Sequence, residues 1–132
     1  MPNLISEDQI EQALVQKLQL LHGFDVLECF TSDPADLNDN SGRTDKREVI
    51  LLDRVRQAAE KLNPVLPAKA IDEALELLTQ RRHAMSLVAA NQEVYALIRD
   101  GIPVKFDDAQ GRPQQERVKL ISFTDPAANE YV

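Results

Sequence analysis

Apolar residues recur every three or four positions along four stretches of the chain, which is the spacing of amphipathic helices. The first predicted helix begins after Ser6, because Ser6 and Gln9 have capping-box spacing, and it ends at Gly23. The second is predicted to begin with Asp45 as its N-cap and to end at Asn63, because a residue before proline is steered out of helical geometry. The apolar stripes consist of Ile10, Leu14, Leu18 and Leu21 in the first helix and of Val49, Leu52, Val55, Ala59 and Leu62 in the second.

Two further helices are predicted in the second half of the chain. Pro67 is expected in the first turn of the third helix, where its missing N–H removes no intrahelical bond. The fourth helix is expected to cover residues 86–100 and to stop at Gly101, since glycine tolerates a left-handed backbone conformation. The predicted buried residues are Ile71, Ala74, Leu75 and Leu78 in the third helix and Val94, Leu97 and Ile98 in the fourth.

Strand-like patterns follow the last helix. Residues 101–106 and 117–123 are predicted to form a hairpin with a polar turn around Gly111, with Pro103 on an edge strand because proline cannot donate to a ladder. Residues 24–30 are predicted to form another short strand. A two-stranded hairpin is marginal in water without further strands or a helical layer. The predicted fold class is therefore α/β of the α+β type, with about four helices packed on a β-hairpin of an incomplete sheet.

We expect one incomplete domain over residues 1–132, with the rest of its sheet beyond Val132. A chain of 132 residues is long enough for one domain and short for two. Residues 31–44 are polar and rich in turn formers, and a loop of this length is predicted to be mobile or functional.

The net charge and the N-terminal sequence limit which partners and which cellular compartment the chain is expected to have. The 22 acidic and 15 basic residues give a net charge of −7, which argues against this segment gripping nucleic acid by itself. The N-terminus lacks the features of a signal peptide, and no apolar run reaches the roughly 18 residues of a membrane span. With Cys29 as its single cysteine, the chain is predicted to be cytoplasmic.

Most familiar site chemistry is missing from the sequence. No G-x-x-x-x-G-K-[ST] or G-x-G-x-x-G loop occurs, and His22 and His83 have no companions at metal-ligand spacing. Residues 36–42 superficially suggest a calcium loop, but counting from Asp36 places Ser41 where glycine is needed and Arg47 where glutamate is needed. We therefore predict no metal or cofactor bound to this segment.

The first helix has the one suggestive pair of carboxylates. Glu7 and Glu11 are four residues apart and share a helix face, so they could contribute to a hard-cation site. The simpler interpretation is that acidic residues in the first turns stabilise the helix dipole.

Several segments form a distinctive series along nearly the whole chain: residues 6–18, 23–24, 47–52, 62–64, 91–95, 97, 101–104, 118–123, 125–126, 129 and 131. Taken together, these segments resemble the N-terminus of the R (restriction and motor) subunit of type I restriction-modification enzymes. The similarity lies in the order of the segments rather than in one motif. Two departures are Ser122, where aspartate is expected in many relatives, and Ala128, where asparagine is usual.

The resemblance implies a PD-(D/E)xK-like nuclease domain in an ATP-dependent translocase that cleaves unmodified double-stranded DNA. Such a parent enzyme would use Mg2+ and ATP and would assemble with modification and specificity subunits. The catalytic aspartate and E-x-K pair are absent here, since Glu116-Arg117-Val118 lacks the lysine. Only Glu11, and less securely Glu7, matches an auxiliary acid, so the segment alone is predicted to be inactive.

The alternative hypothesis is a stand-alone, mostly helical interaction module. In that case the exposed edge of the hairpin would recruit a strand from a partner protein.

Overall fold

The computed structural model describes residues 4–33 and 35–130. The chain divides into two compact units, Met1–Arg47 and Glu48–Val132. Four helices and an antiparallel two-stranded sheet confirm the predicted α+β class. No helix in the described ranges has the length and apolar character needed to cross a bilayer. The elements are α1 Glu7–His22, α2 Leu52–Leu62, α3 Ala68–Thr79, α4 Leu87–Asp100, β1 Ile102–Asp107, β2 Pro113–Val118 and a 3-10 turn Pro126–Ala128.

Helix α1 has both predicted ends. The Ser6 hydroxyl accepts the Gln9 N–H at 3.2 Å, and the Gln9 side chain accepts the Ser6 N–H at 3.0 Å, which completes the capping box. Gly23 ends the helix in the left-handed conformation, with φ 70° and ψ 22°. No residue of α1 is buried, and Ile10 on its apolar stripe is 61% exposed.

The predicted strand at residues 24–30 is wrong, because these residues form neither strand nor helix. The Phe24 N–H donates to the Leu18 carbonyl at 3.1 Å, so the start of this segment completes the end of α1. Apolar residues without a neighbouring backbone to pair with do not make a strand.

Helix α2 begins later than predicted, at Leu52. The Asp45 carboxylate accepts the Arg47 N–H at 2.8 Å, which closes a local turn instead of capping a helix. Val49, assigned to the helix stripe by the sequence, is 91% exposed and precedes the helix. The predicted end before Pro64 is confirmed.

Helix α3 supplies most of the core of the second unit, and all four of its predicted buried residues are buried. Pro67 is the N-cap of α3 rather than a first-turn residue. Helix α4 follows Ser86, whose hydroxyl accepts the Ala89 N–H at 3.2 Å. The predicted buried residues of α4 are only half-buried, although they pack against the core. The core consists of Ala59, Ala70, Ile71, Ala74, Leu75, Leu78, Ile102, Val104 and Val118.

The hairpin strands pair in the register Ile102↔Val118, and β2 ends there instead of continuing to residue 123. Gly101 explains this ending. It has φ 83° and ψ 156°, which is a region almost restricted to glycine, and a Cβ there would lie 3.1 Å from the Val118 carbonyl oxygen. Because β1 begins only at Ile102, no strand residue lies opposite residues 119–123.

Two arginines connect the helices of the second unit. Arg56 on α2 pairs with Asp72 on α3. The Arg82 guanidinium donates to the Leu77 carbonyl at 2.8 Å, near the C-terminus of α3, and lies 3.4 Å from the Glu93 carboxylate on α4. An arginine at this position satisfies carbonyls that a helix end leaves without partners.

Asn63 joins the end of α2 to the residue after β2. Its buried side chain donates to the Ala59 carbonyl at 2.7 Å and to the Lys119 carbonyl at 2.8 Å. Its side-chain oxygen accepts the Lys119 N–H at 2.9 Å. The Asn63 side chain therefore bonds both the N–H and the C=O of the Lys119 backbone, as a neighbouring strand would.

We predict that Asn63→Ala lowers the free energy of unfolding by roughly 1–3 kcal/mol, because it leaves the part-buried backbone N–H and C=O of Lys119 without partners. The measurement is urea unfolding of the variant beside Asn91→Ala, which changes an exposed amide on α4. The control should stay within about 0.5 kcal/mol of the unaltered chain. Equal midpoints for both variants would contradict the role given to Asn63.

Candidate functional site

The two carboxylates predicted from the sequence lie in the first two turns of α1. Glu7 and Glu11 are both exposed and one helical turn apart. Within residues 4–33 and 35–130, no group of three His, Cys, Asp or Glu side chains is placed to hold a metal ion. The roles of Glu7 and Glu11 thus stay predictions.

The polar segment after residue 30 is organised around one buried carboxylate. Asp39 is 3% exposed, and its Oδ2 lies 2.7 Å from the Lys46 ammonium. Its Oδ1 accepts the Ser41 hydroxyl at 2.5 Å and the Ser41 N–H at 2.9 Å. The same ammonium donates to the Thr31 hydroxyl at 3.2 Å. These bonds connect the two ends of the segment.

The environment of Asp39 keeps it ionised. The hydrogen bond from Lys46, followed by those from Ser41, holds the pKa of Asp39 well below its ordinary value of 3.8. A carboxylate with such a low pKa is a poor general base near neutral pH. Since the Lys46 ammonium neutralises it, Asp39 has a structural role that organises this segment.

The second unit contains a cleft of about 290 Å³. One wall is α2, and the other is formed by the residues after β2 and by the 3-10 turn. An exposed ion pair between Lys61 and Glu130, 3.6 Å apart, stands at the cleft. The lining residues are Gln57, Ala58, Lys61, Leu62, Leu120, Ile121, Ala128, Asn129 and Glu130.

Asn129 holds the far side of this cleft. Its side-chain oxygen accepts the Ser122 N–H at 2.7 Å, and its side-chain nitrogen donates to the Ser122 carbonyl at 2.9 Å. The pattern repeats the one between Asn63 and Lys119. Two asparagines thus bind the ends of residues 119–122, where a strand had been predicted. Sequence reasoning missed both roles, because an asparagine before proline indicates only a helix end and Asn129 has no periodic signal.

Comparison with known proteins places these features in a family. A family model described as the N terminus of type I restriction enzyme R proteins matches residues 4–132. The chain is 32% identical over 129 residues to the type I restriction enzyme HindI endonuclease subunit of Haemophilus influenzae. That alignment covers 98% of this chain and only 12% of the relative. No solved structure matches the chain.

We predict that Lys46→Met raises the pKa of Asp39 toward 3.8, because it removes the main group that stabilises the ionised form. Folding lowers this pKa, so the pair stabilises the segment above pH 3.8 and this stabilisation is lost as the pH falls through the lowered pKa. The measurement is the pH titration of the Asp39 carboxyl carbon by NMR.

The matched control for this titration is Lys17→Met, which removes an exposed ammonium from α1. It should leave the titration of Asp39 unchanged. The same Asp39 midpoint in the Lys46→Met variant and the unaltered chain would refute the assignment.

Proposed function

Because this chain belongs to the family of type I restriction enzyme R protein N termini, we propose that it forms the first part of the nuclease domain of an R subunit. In this proposal the segment positions the domain that cuts unmodified double-stranded DNA. The observation that carries the proposal is the family match across residues 4–132, which includes both compact units. The 32% identity to a restriction endonuclease subunit supports it.

The contribution of the segment is positional. Its α3–hairpin core holds a two-stranded sheet, which further strands would stabilise in a complete nuclease domain. The chain spans 12% of its relative, so the motor, the main catalytic motif and the binding of modification and specificity subunits are assigned in this proposal to the rest of the parent protein.

The described residues do not provide a complete magnesium site. A hard cation needs several oxygen ligands, and the described carboxylates are not grouped in this way. The 132 residues also lack the phosphate-binding loop of an ATP-driven motor. We therefore assign Mg2+ and ATP to the parent enzyme, with Glu11 as an auxiliary acid rather than a principal ligand.

The first prediction from this proposal is that the pure chain does not cleave DNA. Supercoiled plasmid incubated with the chain and Mg2+ should show no more nicking than plasmid with Mg2+ alone. Magnesium-dependent cleavage that is lost in the Glu11→Ala variant would show that the segment is itself a nuclease, and the proposal would fall.

The second prediction uses the whole enzyme. Residues 4–132 would replace the aligned 129 residues of the Haemophilus influenzae subunit, and restriction of unmodified phage would be measured in cells. We expect this chimera to restrict. We expect Glu11→Ala within it to reduce restriction roughly 10- to 100-fold, as is typical for residues that hold metal ligands in place.

Glu28→Ala is the matched control, because Glu28 is an exposed acid in the same unit outside α1. It should restrict as the chimera does. A chimera that assembles with its partner subunits but does not restrict would contradict the proposed function. Equal restriction by the Glu11→Ala and Glu28→Ala chimeras would show that Glu11 has no auxiliary role.

A further inference from the structure

The outer face of the hairpin is exposed along its whole length. Side chains of β1 and β2 alternate, so the face opposite the core carries Pro103, Lys105 and Asp107 from β1 and Pro113, Gln115 and Arg117 from β2. All six residues are exposed. Packing does not account for the composition of this face. The face carries no large apolar side chain, and it carries two cations, Lys105 and Arg117.

Lys119 extends this face beyond the last strand residue. The alternation that turns Val118 into the core continues, since Lys119 is exposed and Leu120 is half-buried. Asn63 fixes the Lys119 backbone through both of its polar groups. The Lys119 backbone therefore makes the two hydrogen bonds that a strand partner would provide, although β2 has ended.

The three cations form a short row, here named the basic stripe: Lys105, Arg117 and Lys119. Pro103 lies opposite Arg117 and Gln115 lies opposite Lys105, so Lys105 and Arg117 are diagonal neighbours about 7–8 Å apart. Residues two apart in an extended chain, such as Arg117 and Lys119, are separated by about 7 Å. Arg117 also donates to the Gly101 carbonyl at 3.0 Å, which fixes its guanidinium.

The basic stripe is not neutralised by neighbouring acids. None of its three cations forms an ion pair with a described residue. Asp100 lies near Arg117, but its two carboxylate oxygens each accept a bond from Arg99 at 2.7 Å. Asp107 lies on the same face two residues from Lys105, about 7 Å along the strand, and forms no ion pair with it. Three unpaired cations on one face of a chain with net charge −7 indicate a binding surface for an anionic partner.

We propose that the basic stripe contacts the phosphate backbone of double-stranded DNA. This inference rests on the proposed function, which supplies DNA as the polyanion. A duplex carries one phosphate charge per about 1.7 Å of its axis, so cations 7–8 Å apart can each meet a different phosphate. Phosphate contacts position a protein on the duplex and carry no sequence information, so the stripe binds duplexes of different sequence equally.

The test measures the salt dependence of duplex binding by the chimeric R subunit, with a fluorescent duplex and anisotropy as the readout. Three phosphate contacts from the stripe contribute about 2.7 to the magnitude of the slope of log K against log [salt]. The double variant Lys105→Gln, Lys119→Gln should reduce the magnitude of this slope by about 1.8 and weaken binding at least about tenfold at low salt. Both changed side chains are exposed and the Asn63 bonds go to backbone groups, so the fold should be unchanged.

The matched control is Lys17→Gln, Lys69→Gln, which removes the same charge from exposed lysines on α1 and α3. It should leave the slope unchanged. Gln115→Lys places a fourth cation opposite Lys105 and should tighten binding with a slope steeper by about 0.9.

The proposal is overturned by equal losses in the double variant and its control, by an unchanged slope in the double variant, or by preferential binding of polyglutamate over duplex. Each of these results leaves the proposed function standing, because the chimera tests that function by restriction in cells. If the chimera binds duplex through the stripe but does not restrict, the proposed function is rejected, while the inference that the stripe contacts DNA stands.

Discussion

The packing of α3 against the inner face of the hairpin is the interaction on which the second unit depends. Two strands alone do not make a stable sheet in water. Here Ile102, Val104 and Val118 turn to one side and share a core with Ile71 and the other buried residues of α3. Burying aliphatic side chains of this size contributes about 1.5–3 kcal/mol each, so this layer is the main source of order for the hairpin.

Polar side chains complete what the short sheet does not provide. Asn63 and Asn129 bind the backbone of Lys119 and Ser122, so the chain beyond β2 stays fixed without a third strand. This has two consequences for function. Leu120 and Ile121, between the clamped residues, form one wall of the cleft, and Lys119 stays on the outer face beside Arg117. In the first unit, the ion pair between buried Asp39 and half-buried Lys46 organises the polar segment in a similar way.

Local signals predicted much of this structure, and non-local bonds account for the rest. The capping box at Ser6 and the glycine at residue 23 placed α1 correctly, because capping depends only on neighbours in sequence. Asp45 misplaced the start of α2, because nothing in the sequence shows that its carboxylate closes a turn with Arg47. The strand at 117–123 failed for a related reason. Its apolar residues suit a strand, but the register with β1 ends at Val118 and leaves residues 119–123 without a partner in β1.

The candidate site was less predictable than the fold. The spacing of Glu7 and Glu11 is a property of one helix and could be derived from the sequence. Which other side chains lie near these two carboxylates depends on the fold. The basic stripe needed the hairpin register, since Lys105 and Arg117 are separated in sequence and become neighbours only through strand pairing. Asn63 adds Lys119 to that row through bonds across 56 positions of the chain.

The central proposal is that this chain forms the first part of a longer R subunit. The most direct test is the size of the native polypeptide in source cells, detected with an antibody raised against this chain. Since the chain covers 12% of its relative, we expect a band roughly eight times heavier than 14.8 kDa. A single band near 14.8 kDa would contradict it, and the alternative of a stand-alone interaction module would then explain the protein better.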